Sequence, residues 1–445
     1  MSTSLRYLAY RVRRDEGLVI FFITAIRFVG RMIAVCAANF VSRVRDPRSG
    51  LVLFHNHYAY EGNSRYAFEW IVDTEYDGVD PYWITHSYSL YRELREDGMP
   101  VVFLYSIRGL NALAQATVFC YDNEHFYYYP DQLELFRLRH EVPVKGGSVG
   151  VQKEQDETKN NGESDHPSEE STEYSNSYRY DHTLYTSEYL APNYILEANP
   201  NVVPLGFPRD DQLTDPSEAT RRQWVQFLDS REYSTVVLYA PTRRTNRFDR
   251  GTELFPFEDF CKEELFELLD EIDALLLIRL HPEEHENLTD FRTNHEYETL
   301  SDFVVDLTKN DRVELAGRAV FDQTVDILPF VDVLISDYST VYHTFLFLDR
   351  PILFFPYDYE QWQQEAGFKY DYMEHLPGPK IKSFSEFRAY VRDLHQGTDP
   401  HMDDRHSLRE KIFQYGDSNS SERVASYIAE LDRQVIEKRH QKRQK

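Results

Sequence analysis

The chain has 445 residues, 41% of them hydrophobic, enough for two domains with separate cores. Its formal net charge is -26, and so acidic a surface excludes general nucleic-acid binding, which needs a basic footprint. The three cysteines, Cys36, Cys120 and Cys261, are not spaced as pairs, so neither a disulfide framework nor a zinc site is expected and the setting reads as reducing and cytoplasmic. Lysine is scarce beside arginine, and the acidic excess suits a salt-adapted protein, expected in a haloarchaeon.

Residues 1–49 break the charge pattern. Nine arginines face only Asp15, Glu16 and Asp46, inside a strongly negative chain. Within this stretch, residues 17–40 form an apolar run long enough to span a bilayer, but Arg27 and Arg31 sit near its middle on one helix face. A basic amphipathic helix lying in the membrane interface fits this better, and a helix packed on the protein's own core is the alternative. No small-residue cleavage site follows the run, so a cleaved signal peptide is not expected.

Further along, Leu51–Phe54, Pro100–Leu104 and Thr117–Tyr121 read as short buried strands, with a helix at Ala67–Val72. This alternation predicts a Rossmann-like α/β domain over 50–205. Its residues 148–180 are polar, acidic and nearly free of aliphatics, which predicts a disordered insert. A second Rossmann-like domain is expected over 206–432. Its strands are Val236–Tyr239, Leu275–Ile278, Val331–Ile335 and Ile352–Phe355, and its helices fall in Glu258–Asp273 and Phe384–Leu394. A basic tail, 433–445, closes the chain.

Polar residues gather where these strands should end. Asp337, Ser339 and Thr340 follow one strand, with a helix predicted from Val341. Backbone N–H groups at a helix start, with hydroxyls beside them, can hold a phosphate, or these side chains can simply cap the helix. Thr242 and Arg243 follow a second strand and His281 a third, while Arg209 lies in a Gly/Pro turn before the second half. A parallel sheet would bring strand ends to one edge, and arginine forks match phosphate oxygens.

Five stretches, LYAPTRR, IRLHP, LGFPRDD, LISDYSTVYHTFLFLDRPILFFPYD and FQYGDSNSSERV, together resemble the CDP-glycerol glycerophosphotransferase family of teichoic acid primases and polymerases, over about residues 181–426. The resemblance implies a GT-B fold, two Rossmann-like domains facing a cleft, with the CDP-linked donor in the second. It also implies a catalytic histidine in a Trp-His-Gly-Thr-Pro-Leu-Lys motif. The matching stretch here is Leu138–Lys145: His140, Pro143 and Lys145 align, while Arg139 and Glu141 replace tryptophan and glycine. On this reading His140 is the general base, and His281 and Arg243 contact the pyrophosphate. Thr242 and Arg209 join the donor set, and Ser339 and Thr340 cradle phosphate oxygens. The loop with Asp417, Ser420, Ser421 and Arg423 closes on the donor, while Asp337 organises the helix start. Neither a metal nor a cofactor is expected. The implied partners are a CDP-linked polyol donor, a lipid-linked or surface-glycan acceptor, and the cytoplasmic face of a membrane. Two other readings stand beside it: a GT-B glycosyltransferase using a nucleotide sugar, and an inactive scaffold of surface-polymer assembly.

Overall fold

A computed structural model describes residues 18–56, 59–122, 130, 132–139, 181–189, 201–244, 252–281, 297, 299–365, 367–368, 372–374 and 376–444. His140 and the acidic insert 148–180 lie outside the described residues. The chain divides into two compact units, the second running from Asp210 to Ser418 apart from a short stretch at 141–148.

The first unit opens with helix α1 (Leu18–Ser42) and continues through β1 (Leu51–His55), α2 (Gly62–Asp73), β2 (Asp80–Thr85), α3 (Tyr88–Glu96), β3 (Val101–Phe103), α4 (Ile107–Gln115), β4 (Val118–Tyr121), β5 (Glu134–Arg137), β6 (His182–Tyr185) and β7 (Asn201–Pro204). The strands form one parallel sheet in the order β3-β2-β1-β4-β5-β6-β7. Every residue of β1 and β4 is buried, as expected of strands covered on both faces. Helices start where serine accepts a backbone N–H: Ser87 from Leu90 and Ser106 from Gly109.

Helix α1 packs on α4, and Ala34, Val35 and Ala38 enter the unit's core. Arg31, expected among lipid headgroups, instead places Nη2 3.1 Å from Nε2 of His86, so it turns toward the protein. Val29, Ile33, Phe40 and Val44 remain exposed. Among the described residues no helix is long and apolar enough to cross a membrane.

The second unit runs through α5 (Glu218–Leu228), β8 (Thr235–Tyr239), α6 (Lys262–Glu271), β9 (Ala274–Ile278), α7 (Leu300–Leu307), β10 (Val313–Leu315), β11 (Val333–Ser336), α8 (Val341–Leu346), β12 (Ile352–Phe354), α9 (Phe384–His395) and α10 (Met402–Ile412). Its parallel sheet has the order β10-β9-β8-β11-β12. Phenylalanines fill its core, with Phe255, Phe303, Phe355, Phe384 and Phe387 packed around Leu276 and Ile335.

The last helix, α11 (Ser420–Gln444), belongs to the first unit. The second domain therefore ends before the expected 432, and the expected basic tail is the continuation of a helix that packs on α2, β1 and β4. The reason is burial: Val424, Ala425, Ile428 and Leu431 are all covered. Buried Asp432 accepts hydrogen bonds from Thr117 Oγ1 at 2.6 Å and Ser49 Oγ at 3.1 Å, and Tyr427 OH meets His182 Nδ1 at 2.9 Å. Lys438, in the segment read as a loose tail, pairs with Glu134 at 3.1 Å. Strands β2, β5, β6 and β10 escape a sequence reading because they are short or carry Asp, Pro, Glu and His among their apolar residues.

Replacing Asp432 with alanine removes the acceptor of Ser49 and leaves the Thr117 hydroxyl only the Leu51 carbonyl, at 3.2 Å. A loss of about 1–3 kcal/mol in urea denaturation is expected. An unchanged midpoint would mean that Asp432 adds nothing to the docking of α11.

Candidate functional site

In both sheets the chain starts at an inner strand, builds outward on one side, then crosses to the other. The reversal falls between β1 and β4 in the first unit and between β8 and β11 in the second. Open α/β sheets bind ligands outside the carboxyl ends of the strands at such a point. At the second unit's reversal, β8 hands over to Ala240–Arg244 and β11 to Asp337–Thr340.

Arg244 ties these loops together. Its Nη1 donates to Asp337 Oδ2 and to the Thr242 carbonyl, each at 2.6 Å. Nε and Nη2 grip both oxygens of Asp358, just past β12, at 2.9 Å each. The guanidinium lies 4.9–5.2 Å from the ring centres of Tyr338, Tyr357 and Trp362. Burial opposes its charge, but Asp337, Tyr357 and Asp358 outweigh burial and hold its pKa well above the ordinary arginine value. Asp337 Oδ1 also accepts the Thr242 N–H at 2.7 Å. Asp337 thus organises across the strands, from β11 to the loop after β8, as well as standing before α8.

Around this clamp stand the expected donor residues. Thr242 is buried, and its Oγ1 has no hydrogen-bond partner among the described residues. Arg243, Ser339 and Thr340 are half-buried, and Ser339 Oγ accepts the Val341 N–H at 3.4 Å. Thr340 takes the N-cap position of α8 without a side-chain capping bond. His281 is exposed, three residues past the end of β9, and Asp417 is exposed near the end of the unit.

The remaining expected residues fall in the first unit. Arg209 donates its N–H to Asn63 Oδ1 at 3.2 Å. Ser420 and Ser421 are buried in the first turn of α11. Arg423 donates to the Leu205 carbonyl at 2.9 Å and to Ser420 Oγ at 3.2 Å. Gly206, with φ of +83°, lies against Ser420; a Cβ there would come within 2.5 Å of the serine oxygen.

The first unit's own reversal holds polar residues that the sequence reading passed over. Asp122, fully buried just past β4, accepts the Ser64 N–H at 3.1 Å and Asn56 Nδ2 at 3.2 Å. Gly62 makes room for it: φ is +76°, and a Cβ there would come within 2.3 Å of the carboxylate. Asn63 Nδ2 donates to the carbonyls of Leu138 (3.1 Å) and Arg139 (2.8 Å), immediately before His140. Arg139 has φ of 59° and lays its guanidinium 4.3 Å from the centre of the Tyr185 ring. The one signal in the sequence was a polar residue directly after each buried run, Asn56 after LVLFH and Asp122 after VFCY. Among the described residues no cluster of three or more His, Cys, Asp or Glu side chains could hold a metal ion.

Two measurements probe these clusters. Arg244→Met strands two carboxylates in a buried site and is expected to cost about 3–5 kcal/mol in denaturant unfolding, whereas an exposed pair would cost under about 1. For Asp122, burial pushes the carboxyl up to about 8, against the pull of the Ser64 and Asn56 hydrogen bonds and Arg209. An unfolded aspartate titrates near about 4. Between those values the unfolded chain has released the proton while the folded chain keeps it. This group therefore makes stability fall as pH rises from about 4 to about 8, and Asp122→Asn should flatten that part of the profile of urea midpoint against pH. Parallel profiles for the two proteins would show that Asp122 is ionised in the fold.

Comparison with known proteins agrees with this architecture. The pattern of the family described as CDP-Glycerol:Poly(glycerophosphate) glycerophosphotransferase matches residues 37–430. The teichoic acid ribitol-phosphate polymerase TarK of Staphylococcus aureus is 28% identical over 226 residues, covering 50% of this chain and 40% of that protein. The teichoic acid glycerol-phosphate primase of Bacillus subtilis is 26% identical over 219 residues, covering 49% and 50%. The chain thus spans about half the length, or less, of these curated relatives. The solved structure of the wall teichoic acid polymerase TagF superposes with a TM-score of 0.64 at 16% identity, over 95% of this chain and 99% of that one, a likeness of fold alone. Two parallel-sheet α/β units and a family match over most of the chain make it a member of the CDP-glycerol:poly(glycerophosphate) glycerophosphotransferase family, with the GT-B-like fold.

Proposed function

We propose that the chain transfers glycerol phosphate, or a related polyol phosphate, from a CDP-linked donor to a hydroxyl of a lipid-linked or cell-surface glycan acceptor and releases CMP. The observation that carries this is the Arg244 clamp. It fixes the loops after β8, β11 and β12 at the reversal of the second sheet, and those loops present Thr242, Arg243, Ser339 and Thr340. Hydroxyls and an arginine held rigidly at that position suit the phosphates of a nucleotide donor. His281, on the adjacent strand end, contacts the same phosphates, and Asp417 of the same unit joins them.

His140 is the general base in this scheme. The acceptor hydroxyl attacks the donor's polyol-linked phosphorus and loses its proton to His140; the bond to the bridging oxygen breaks, and CMP leaves with that oxygen. An imidazole titrates where such a base must work. Asn63 supports the reading, because it pins the backbone of the two residues before His140. The scheme uses side chains alone, so activity should persist in EDTA.

Binding at the cytoplasmic face of the membrane belongs to the same proposal. The exposed Val29, Ile33, Phe40 and Val44 of the α1 region, with Arg43 and Arg45 beside them, suit an apolar surface edged by anionic headgroups.

The deciding assay is CMP release from CDP-glycerol with lipid extract as acceptor. Wild type should release CMP, and His140→Ala should lower the rate at least about 100-fold. Release of a nucleoside diphosphate from a sugar donor would turn the reading to a glycosyltransferase. A folded protein that binds no nucleotide would turn it to a scaffold.

A further inference from the structure

Among the described residues three arginines are buried in the second unit: Arg244, Arg279 and Arg405. Two have carboxylate partners. Arg244 holds Asp337 and Asp358, and Arg405 holds Asp349 at 3.2 Å and Asp399 at 2.8 Å. Arg279 differs. It sits one residue past β9, beside β8, and 8% of its surface is exposed. Nη1 donates to the carbonyls of Ala316 (2.6 Å) and Phe321 (3.0 Å), Nη2 to that of Asp322 (3.3 Å), and Nε to Thr324 Oγ1 (2.9 Å). All four acceptors lie in one segment, 316–324, which leads from β10 toward β11. The backbone N–H of Arg279 donates to the carbonyl of Tyr239, the last residue of β8, at 2.9 Å.

No carboxylate oxygen of the described residues comes within 4.0 Å of this guanidinium. Burial lowers its pKa to about 10; Asp326 and Asp322 pull it upward from longer range and Arg318 pushes it down. It is therefore charged at neutral pH. A charge taken out of water and met only by carbonyl and hydroxyl dipoles is costly, and Arg244 and Arg405 show the usual remedy, a carboxylate. Arg279 goes without one at the carboxyl end of the sheet, two residues before exposed His281 and on the strand next to the loop of Thr242 and Arg243.

We propose that Arg279 is a positioning residue for the donor: it anchors segment 316–324 at the strand ends, and its unpaired buried charge favours the diphosphate of a nucleoside diphosphate bound there. The proposal rests on the donor reading given above. In the low dielectric of a partly covered site, a fixed charge acts on an anion about 8–10 Å away with an energy worth roughly tenfold or more in affinity. A role limited to holding the segment would depend on the hydrogen bonds instead of on the charge.

The test is titration of the full chain with CDP by calorimetry, with unfolding followed in parallel. Arg279→Lys keeps the charge and loses the fork of hydrogen bonds; Arg279→Met loses both. The expected result is CDP binding weakened about tenfold in R279M and less than about threefold in R279K. Equal losses in the two variants, or a folded R279M that binds CDP as wild type does, would overturn the proposal. Should R279M fail to fold, R279K and Thr324→Val decide it. Both keep the charge while removing contacts to the segment, and a loss beyond about threefold in either overturns the role of the charge. A folded wild type that binds no CDP removes the donor reading itself, and this proposal with it; a wild type that binds CDP while R279M and R279K behave alike removes this proposal only.

Discussion

Arg244 is the constraint on which the second unit depends. One guanidinium makes four hydrogen bonds to groups at three separate strand ends, and three aromatic rings exclude water from it. Two charges of one sign surround one of the other, so removing the arginine leaves repulsion in place of attraction. Buried ion pairs contribute less to stability than their geometry suggests, because desolvation opposes them. Their value here is geometric: the loops after β8, β11 and β12 have one arrangement in which all these groups are satisfied. Hydroxyls and cations placed on those loops inherit that rigidity, which is what recognition of a phosphate needs.

The first unit solves the same problem with different chemistry. In each sheet an aspartate stands one residue past the strand that crosses to the other side, Asp122 after β4 and Asp337 after β11. Each accepts a backbone N–H from the segment that follows the first strand of its sheet, Ser64 in one and Thr242 in the other. A parallel sheet leaves its carboxyl ends as loops whose backbone donors need partners, and a short carboxylate reaches across the gap. The difference lies in the counter-charge. Asp337 has Arg244, while Asp122 has only amides and the distant pull of Arg209, so burial dominates its titration.

Helices α1 and α11 illustrate how an amphipathic segment is shared between competing partners. The apolar run in α1 is too long for one narrow face, and the structure divides it: Ala34, Val35 and Ala38 go into the core, with Ile33 and Phe40 left outside. Arg31 turns to His86 and meets its ring nitrogen, so the guanidinium has a hydrogen-bond contact on the protein side. Helix α11 buries an aspartate that the hydroxyls of Thr117 and Ser49 satisfy, and so fixes its register on the first sheet.

The sequence by itself determined the fold class, the strands with continuous apolar runs, and the polar residues at their ends. Buried parallel strands cannot avoid an unbroken hydrophobic signature, and the chain must become polar where it emerges. Thus Thr242, Arg243, Ser339 and Thr340 were legible as strand-end residues before any coordinates. Which neighbours are spent on holding the loops was not legible. Arg243 and Arg244 are adjacent and chemically alike, yet one is half-buried and the other is locked between two aspartates more than ninety residues away. Asn56 and Asp122 show only as polar residues after buried runs and Asn63 carries no local pattern, because their partners come from different strands. The return of α11 to the first unit was hidden for the same reason: a helix's periodicity announces an apolar face, and only the tertiary structure decides which core it covers.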